Sequence, residues 1–496
     1  MISRKHSSHS GSSLHHKHNA KKPRYSETMK NHEDEDENEN DDYAVIIIGA
    51  GAAGIGLASC LKCGFMDTDD MLILEQGPSI GTSFRQWHKT TTFISPSWPS
   101  FPYGVQDLNV VFPDASLGGA QHATGDEYAD YLEDQANNYT MNIRYNQTVS
   151  RIVPPVDEDM STSDTDDALL TDLFLVYTEG RDKPFTANVV VWCGGEWSSP
   201  RKIDYEKYHQ DSVIHYRHAD LQQIASDYLT TTKNSNDPII VVGMGEAGAD
   251  VAAALVEEYK IDTPGGIIII DGNDPNEPES KDPSCRLSPK STKALKQHSG
   301  IIRVVRGQTC VSIGQMDNAT KKIRVDLKAV GSTIKNVESN DSKILYTSSK
   351  VIMCTGFDVS QNPVIQDLFH WREDGCPELD KQCDESTKTT NFFCCGPMLR
   401  HDIDSCEMPA NEEDKTKCQT AIFCYIYKFR TRFPVVAEEI IFRVVHERYS
   451  VPDEDGEPII TREGQMWGAA AETMTKYYKE KGMYLSEITE ACGTCG

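Results

Sequence analysis

Two glycine-rich turns in the sequence have the spacing G-x-G-x-x-G. The first places Gly49, Gly51 and Gly54 directly after the apolar run at 44–48. In such a turn the first glycine permits a sharp change of direction, the second lets the backbone approach a phosphate, and the third lets the next helix pack closely. Because that helix points its free amide hydrogens at the turn, the pattern predicts binding of a dinucleotide pyrophosphate.

A second copy of the turn places Gly243, Gly245 and Gly248 after the apolar run at 239–242. One such match would be weak, but two copies that each follow a strand-like run are a specific signal. They predict two dinucleotides held at once, which is the arrangement that hydride transfer from a nicotinamide to a flavin requires. The redox chemistry would then belong to the cofactors rather than to side chains.

The strand-like run after each turn leads into an acidic residue. Glu75 can accept hydrogen bonds from ribose hydroxyls. Its spacing from Gly49 is 75 minus 49, or 26 residues, somewhat longer than the usual distance of roughly 20. Asp271 would favour the free ribose hydroxyl of NADH, whereas three later cations could hold the 2′-phosphate of NADPH. These cations are Arg286, Lys290 and Lys293, so NADPH and NADH both stay open.

Cysteine pairs offer an alternative chemistry, because a thiolate beside a flavin can exchange electrons with it. The sequence contains 15 cysteines. Cys60 and Cys63 lie late in a helix-like segment, where core packing is the simpler interpretation. The adjacent Cys394 and Cys395 are poor disulfide partners, and one of them is expected to face the core. The pair that a thiol or disulfide reductase could use is the C-x-x-C of Cys492 and Cys495.

Charge and composition exclude several classes of function. The formal net charge of -27, from 76 acidic and 49 basic side chains, disfavours nucleic-acid binding because it repels polyphosphate. The uncharged stretch at 44–61 contains four glycines and belongs to the first turn, so no membrane span is expected. The first residues lack the apolar region of a secretory signal. We therefore expect a cytoplasmic protein with reduced thiols.

The elements that must position these residues alternate along the chain. Helix-like segments separate short apolar runs at 44–48, 71–74, 189–192, 239–242, 267–270 and 351–353. This alternation predicts an α/β fold with parallel sheets. Residues 421–432 have the composition of a packed helix, which Pro434 would separate from the next one. The solvated face of that helix is expected to carry Lys428, Arg430 and Arg432.

Other motifs are similar to those of flavoproteins that bind two dinucleotides. The segment 351–357 ends in Cys354-Thr355-Gly356-Phe357 and is similar to their strand-plus-ATG signature. Residues 81–87 are similar to a G-x-x-W-R-x-W loop, and 393–397 to a flavin-contacting turn near the C-terminus. Over roughly residues 44–445 the chain resembles the flavin-containing monooxygenase group and its FAD- and NAD(P)-binding relatives.

The resemblance implies positions for the cofactors. The ADP half of FAD would be held by Gly49, Gly51, Ala53, Gly54, Glu75 and Gln76, with the backbone of Val149 at the adenine. The flavin loop would contain Arg85, Trp87 and His88, and Gly396 would lie near the ribitol. Further cofactor-binding candidates are Gly194, Thr355 and Gly356. NADPH or NADH would bind at Gly243, Gly245 and Gly248. A cation and an aromatic ring beside a flavin can stabilise its reduced anion, so Arg85 is also a catalytic candidate.

The same resemblance implies how the domains are arranged. Two Rossmann-like dinucleotide-binding domains are expected, with the NAD(P) domain inserted into the FAD domain. The expected segments are a disordered tail at 1–42, the first part of the FAD-binding domain at 43–200, the NAD(P)-binding domain at 201–345, the second part of the FAD-binding domain at 346–445, and a C-terminal helix with a flexible C-x-x-C tail at 446–496.

The chain departs from one sequence motif of the monooxygenases. Their F-x-G-x-x-x-H fingerprint would align with His209, Asp211 and His215, so the aromatic residue and the glycine are both missing. His215 remains as the catalytic candidate from this motif. The resulting interpretation is an FAD- and NAD(P)H-dependent monooxygenase that transfers one atom of molecular oxygen from a C4a-hydroperoxyflavin to a small substrate with a nitrogen, sulfur or carbonyl centre.

Two rival functions stay open. The first is an FAD and NAD(P)H thiol or disulfide reductase that uses Cys492 and Cys495. The second is a flavoprotein that senses redox state without turnover, which the intact second glycine turn argues against. No spacing rule indicates a metal site, the substrate or the oligomeric state.

Overall fold

A computed structural model describes residues 41–460, together with residues 476 and 480. Within 41–460 the gaps are 65, 98–106, 114–116, 118–121, 156–171, 205, 232–236, 274–286, 331–341, 403–419 and 453–457. Most of the predicted tail at 1–42, Arg286, and the C-terminal pair Cys492 and Cys495 therefore lie outside the described residues.

Nineteen strands and eight α-helices lie in the described part of the chain. The strands are β1 (Asp42–Ile48), β2 (Met71–Leu74), β3 (Ile143–Arg144), β4 (Val149–Val153), β5 (Phe174–Thr178), β6 (Phe185–Trp192), β7 (Val213–His215), β8 (Ile239–Val242), β9 (Ile267–Asp271), β10 (Ile302–Arg306), β11 (Gln308–Ile313), β12 (Ile323–Ala329), β13 (Ser342–Thr347), β14 (Val351–Met353), β15 (Phe392–Cys394), β16 (Arg400–Asp402), β17 (Thr420–Ile422), β18 (Ser450–Pro452) and β19 (Pro458–Ile460). The helices are α1 (Ala52–Cys63), α2 (Thr82–Arg85), α3 (Gly125–Asn138), α4 (Leu221–Thr231), α5 (Glu246–Glu257), α6 (Pro289–Gln297), α7 (Ile426–Phe429) and α8 (Phe433–Tyr449).

The first sheet has the strand order β3-β2-β1-β6-β5-β4, and β15 pairs with β6. Strands β1, β2, β3, β6 and β15 run parallel, whereas β5 is antiparallel to β6 and to β4. The central strand β1 is buried over six of its seven residues. Because helices and loops cover a parallel sheet on both faces, its strands are continuously apolar, as the runs at 44–48 and 189–192 are.

The second sheet contains only parallel strands, in the order β10-β9-β8-β14-β7, beside a three-stranded antiparallel sheet of β11, β12 and β13. The predicted boundary between 345 and 346 would place β14 with the first sheet. Instead β14 pairs with β8 and β7 of the second sheet. A run of three apolar residues carries no information about which sheet it joins, so the spacing could not decide this.

Helix α1 shows why the first glycine turn is placed so rigidly. Ten of its twelve residues are buried, and it packs between α3 and α8. A Cβ at Gly56 would overlap the ring of Phe433, so the two helices approach closely only because this position is glycine. No helix in the described segments is long and apolar enough to cross a membrane.

The predicted end of the N-terminal tail and one predicted helix differ from the structure. The tail predicted over 1–42 ends too late, because β1 begins at Asp42 and the buried Asp41 forms ion pairs with Arg181 and Lys183. The single predicted helix at 421–432 is instead the end of β17, a short α7 and a 3-10 turn.

The expectation that the cations of this segment lie on a solvated face is wrong for two of them. Lys428 and Arg430 are buried, and Arg430 has no exposed surface. The guanidinium of Arg430 donates to the carbonyl oxygens of Asp107 and Val110, the latter at 2.8 Å. Arg432 binds Asp384 through two hydrogen bonds of 2.8 and 3.1 Å. Local charge patterning cannot reveal such distant carbonyl and carboxylate partners.

Candidate functional site

The first glycine turn has the geometry of a phosphate cradle. Gly49 adopts a φ of +105°, and a Cβ there would lie 2.8 Å from the carbonyl oxygen of Cys193 on the neighbouring strand. A Cβ at Gly54 would overlap the carbonyl oxygen of Gly49. At Gly51 nothing lies within 4 Å of an added Cβ, so this is the side from which a ligand can approach the backbone. The N-terminus of α1 points its amide hydrogens into the same space.

Glu75 is positioned beside this cradle by the backbone. Its carboxylate accepts hydrogen bonds from the amides of Ala50 and Gly77, both at 2.8 Å. Burial raises the pKa of Glu75, although the two amide hydrogen bonds oppose that shift. A carboxylate held in this place next to the turn fits the ribose of an adenine nucleotide.

The second glycine turn repeats the backbone geometry of the first. Gly243 has a φ of +108°, and a Cβ there would overlap the carbonyl oxygen of Cys354. A Cβ at Gly248 would overlap the carbonyl oxygen of Gly243, whereas an added Cβ at Gly245 meets nothing within 4 Å. The second turn therefore also leaves its middle glycine open to a ligand.

An acidic side chain stands at the start of the second helix. Glu246, the first residue of α5, accepts hydrogen bonds from the amide of Ser288 at 2.9 Å and from its hydroxyl at 2.6 Å. The hydroxyl of Ser291 donates to it at 2.5 Å. These contacts tie the N-terminus of α6 to that of α5. A carboxylate at the N-terminus of α5 is stabilised by the helix dipole.

The residues proposed to select between NADH and NADPH lie at two separate places. Asp271 is buried at the end of β9 and accepts a hydrogen bond of 3.1 Å from the amide of Asn273. Lys290 instead donates to the carbonyl oxygen of Thr90 and to the hydroxyl of Thr92, so its ammonium is held by the segment after α2. Both Lys290 and Lys293 line a small cavity of about 180 Å³, together with Asp250 and Glu257 of α5.

One cavity of about 1000 Å³ runs from the first glycine turn to the start of α5. This volume lies at the upper end of the roughly 300–1,000 Å³ typical of small-molecule sites. Its walls include Gly49 and Gly51 on one side and Glu246 and Ala247 on the other. Aromatic side chains line the space between them: Trp87, Phe93, Trp197, Tyr216 and Phe357. The largely aromatic cavity therefore reaches the second turn only at Glu246 and Ala247, and none of the three glycines of that turn lines it.

The structure brings many of the sequence-predicted residues to this cavity but not all of them. Those on its wall are Gly49, Gly51, Ala53, Glu75, Gln76, Trp87, His88, Val149 and Gly194. Those that do not line it are Gly54, Arg85, His215, Gly243, Gly245, Gly248, Thr355, Gly356 and Gly396. Several of the latter shape the backbone behind the wall. Gly396, for example, has a φ of +123°, and a Cβ there would lie 3.3 Å from the Cβ of Ala53.

The two predicted catalytic side chains are not brought to the cavity. Arg85 forms ion pairs with Asp130 at 2.8 Å and Glu133 at 3.1 Å, both on α3. Its guanidinium is held by exposed carboxylates of α3. Arg85 is therefore withdrawn as a flavin-contacting group.

His215 has both ring nitrogens occupied by backbone groups. Its Nδ1 accepts from the amide of Arg217 at 3.3 Å, so its Nε2 donates to the carbonyl oxygen of Gly356 at 3.1 Å. Burial lowers the pKa of His215, and nearby cationic side chains act in the same direction. This neutral histidine fastens β7 to the loop after β14, and it is withdrawn as a catalytic group.

Glu196 is a cavity residue that the sequence reasoning missed. It follows Gly194 and Gly195 after β6 and lines the cavity beside Trp197. Burial raises the pKa of Glu196, and the charge of Arg400 opposes the shift only in part. The signal that could have identified it is its place directly after a glycine pair at the carboxyl end of a parallel strand, where ligand sites of α/β folds lie.

The chain is similar to one known protein family and to several solved structures. The model of a family described as "Pyridine nucleotide-disulphide oxidoreductase" matches residues 46–396. Bacillithiol disulfide reductase from Staphylococcus aureus is 13% identical with a TM-score of 0.50, over 81% of this chain and 99% of that one. Ornithine N-hydroxylase from Kutzneria sp. 744 is 14% identical with a TM-score of 0.51, over the same shares.

These identities are too low to transfer a reaction, but they establish the fold that binds two dinucleotides. The match of the family model covers both glycine turns together with β6 and β15. The chain is an oxidoreductase and belongs to the pyridine nucleotide-disulphide oxidoreductase family.

Proposed function

We propose that the first glycine turn holds FAD and that the second holds NADPH or NADH, which would supply the chemistry of hydride transfer from nicotinamide to flavin. The observation that supports this proposal is the cavity that runs from Gly49 and Gly51 of the first turn to Glu246 and Ala247 of the second. The residues fit the two cofactors, because Gly51 and Gly245 leave open space at the N-termini of α1 and α5. When bound, a flavin accepts hydride from a nicotinamide and passes electrons on one or two at a time.

The oxidative half-reaction that we propose is monooxygenation of a small substrate with a nucleophilic nitrogen or sulfur atom, or with a carbonyl group. The aromatic walls support this choice, because a reduced flavin that reacts with oxygen needs a site from which water is excluded. Trp197, Tyr216 and Phe357 pack against one another on this wall, with ring centroids 5.6–6.0 Å apart.

Two titratable side chains of the cavity would handle protons in this reaction. Glu196 holds its proton at higher pH than an exposed glutamate, because burial raises its pKa. His88 stays neutral, because burial lowers its pKa more than a hydrogen bond with the backbone of Tyr216 raises it. We assign Glu196 the role of exchanging a proton with the substrate and His88 that of a neutral hydrogen-bonding group.

The experiment that tests the proposal measures three quantities on the purified full-length chain. Anaerobic NADPH or NADH should bleach the absorbance of bound flavin. On admission of labelled oxygen, a panel of a tertiary amine, a thioether and a ketone should include a substrate that gains one labelled atom per nicotinamide oxidised. Reduction without label in any product, with all oxygen recovered as peroxide, would contradict monooxygenation while leaving the two cofactor sites intact.

A disulfide reductase is the second candidate, favoured by the C-x-x-C of Cys492 and Cys495 and by the description of the family. It predicts that the nicotinamide-reduced protein reduces a low-mass disulfide without oxygen. The double variant Cys492→Ser/Cys495→Ser should lose that reduction and keep flavin bleaching. If the variant reduces the disulfide as well as the parent chain, the C-terminal pair has no part in it.

A further inference from the structure

A second pair of cysteines meets at the edge of the cavity. Strand β15 lies beside β6 with Cys394 opposite Trp192, so the next residues along, Cys395 and Cys193, are neighbours. The amide of Cys395 donates to the carbonyl oxygen of Trp192 at 3.0 Å, which fixes this register beyond the strand ends. Burial and the neighbouring Cys395 side chain both raise the pKa of Cys193, and both residues are free thiols.

The two thiols differ in their access to the cavity. Cys193 lines the cavity, and only 4% of its surface is exposed. Cys395 is buried behind it, with 1% exposed. The sequence analysis set aside the adjacent Cys394 and Cys395 as poor disulfide partners, and in the structure the thiol next to Cys395 belongs to Cys193. The partner of Cys395 is the residue that follows β6, 202 positions away in sequence (395 minus 193).

We propose that Cys193 and Cys395 form an oxidation site that a hydroperoxide entering the cavity closes into a disulfide. The Cys193 sulfur attacks the peroxide oxygen, which yields a sulfenic acid and one water from hydrogen peroxide. The Cys395 thiol then displaces the hydroxyl group as a second water, and the sulfur–sulfur bond forms. Two thiols lose two electrons and two protons, and one peroxide becomes two waters.

The position of the pair gives the bond a structural consequence. Residues 193 and 395 stand on either side of the chain segment that forms the second sheet, and β6 and β15 belong to the first sheet. A disulfide between them would fasten the two parts of the first sheet covalently beside the first glycine turn. Burial raises the pKa of Cys193 well above its ordinary value, so the oxidation is slower than that of an exposed thiol.

The second turn supplies a matched control. Cys354 and Cys193 have equivalent positions at the two turns. The carbonyl oxygen of Cys354 lies next to Gly243, and the carbonyl oxygen of Cys193 lies next to Gly49. Cys354 is also buried, but burial is the sole influence on its pKa. The two cysteines thus share their topological place and differ in the neighbouring thiol.

The test is disulfide mapping of the full-length protein with its bound flavin. The protein is treated with hydrogen peroxide, free thiols are blocked with N-ethylmaleimide, and the unreduced digest is examined by mass spectrometry. We expect a peptide pair that joins Cys193 to Cys395, lighter by about 2 Da than the two thiol peptides together. Cys354→Ser should keep that pair, whereas Cys193→Ser and Cys395→Ser should lose it.

Other outcomes would overturn the proposal. They are a bond of Cys395 to any other cysteine, sulfinic acid at Cys193 with no bond, or full alkylation of both thiols after peroxide. Mapping of the parent chain decides the matter even if a serine variant fails to fold. Because the readout is a peptide mass, it does not depend on which oxidative half-reaction the protein catalyses.

Discussion

The two glycine turns have nearly the same backbone and different surroundings. Their first glycines have φ values of +105° and +108°, and in each the third glycine packs on the carbonyl oxygen of the first. At the first glycine turn, Ala52 and Ala53 follow the middle glycine, and α1 begins without an acidic residue. At the second glycine turn, Glu246 follows the middle glycine and lines the cavity of about 1000 Å³.

The acidic partners at the two turns also differ in how firmly they are held. Glu75 accepts two backbone hydrogen bonds, one of them from Ala50 inside the turn itself. Asp271 accepts one from the residue two positions later, outside the turn. The first cradle is therefore preorganised by its own backbone, whereas the second places a negative charge near the ligand. This difference suits a cofactor that stays bound at the first turn and one that exchanges at the second.

The largest effect is expected from Gly54→Ala. Alanine in a helix is normally more favourable than glycine by about 0.5–1 kcal/mol, but here its Cβ would overlap the carbonyl oxygen of Gly49. We expect the free energy of unfolding to fall by more than about 3 kcal/mol, because backbone cannot yield as a side chain does. Urea unfolding measures it. Gly300→Ala, where nothing lies within 4 Å, is the control and should be nearly neutral.

A pair of variants separates the two cofactors. Gly51→Ala and Gly245→Ala should fold, since both glycines have negative φ values and open space at the Cβ. Each methyl group would keep phosphate from the amides, which costs about 10- to 100-fold in affinity. Gly51→Ala should lose FAD on dialysis, whereas Gly245→Ala should keep FAD and bind NAD(P)H weakly in a fluorescence titration. Equal loss of FAD from both would refute the assignment.

Replacing Asp250, which lies near the second turn, should change the free energy of unfolding in a pH-dependent way. Burial raises its pKa from 3.8 to about 6, with the charge of Lys290 opposing. A raised carboxyl pKa means that the folded state binds the proton more tightly, so stability is lost as pH rises from about 4 to about 6. Asp250→Asn should therefore be more stable than the parent by about 1–3 kcal/mol at pH 7.5, and by little at pH 4.

The control for Asp250→Asn is Glu257→Gln. Glu257 lines the same small cavity, but 45% of its side chain is exposed. Unfolding curves of the two variants at both pH values provide the measurement. A gain of stability for Asp250→Asn that is the same at pH 4 and pH 7.5 would show that burial of its charge is not the cause.

The smallest effect is expected from Glu246→Gln. The amide side chain can keep part of the hydrogen bonding to Ser288 and Ser291 while removing the charge beside the proposed pyrophosphate. The interaction of one charge with a helix N-terminus is about 0.3–1 kcal/mol. NAD(P)H should therefore bind about two- to fivefold more tightly, with FAD content unchanged. Weaker binding would mean that Glu246 positions the turn rather than repelling the ligand.

Much of this architecture could be predicted locally. Each glycine turn, its preceding strand and the acidic residue after the next strand lie within about 30 residues, so spacing alone predicts them. The helix and strand alternation likewise predicted the α/β class. Cavity residues such as Trp87 and Gly194 followed from a family resemblance rather than from spacing.

The failures share a cause, which is that their partners are distant in sequence. Arg85 was expected beside the flavin, but Asp130 and Glu133 of α3 hold it outside. His215 was a catalytic candidate, but its Nε2 forms a hydrogen bond with the backbone carbonyl oxygen of Gly356. The short strand β14 joined the second sheet through pairing with β7 and β8.

What the sequence alone determined is therefore the local structure: two glycine turns of the kind that binds phosphate, with a carboxylate after each, on a parallel α/β framework. Backbone sterics and hydrogen bonding within a few residues dictate these features, so no distant contact was needed. The tertiary structure decided which side chains face the common cavity, that Glu196 is among them, and that Cys193 meets Cys395. Strand order and register set those contacts, because they bring together residues that are hundreds of positions apart.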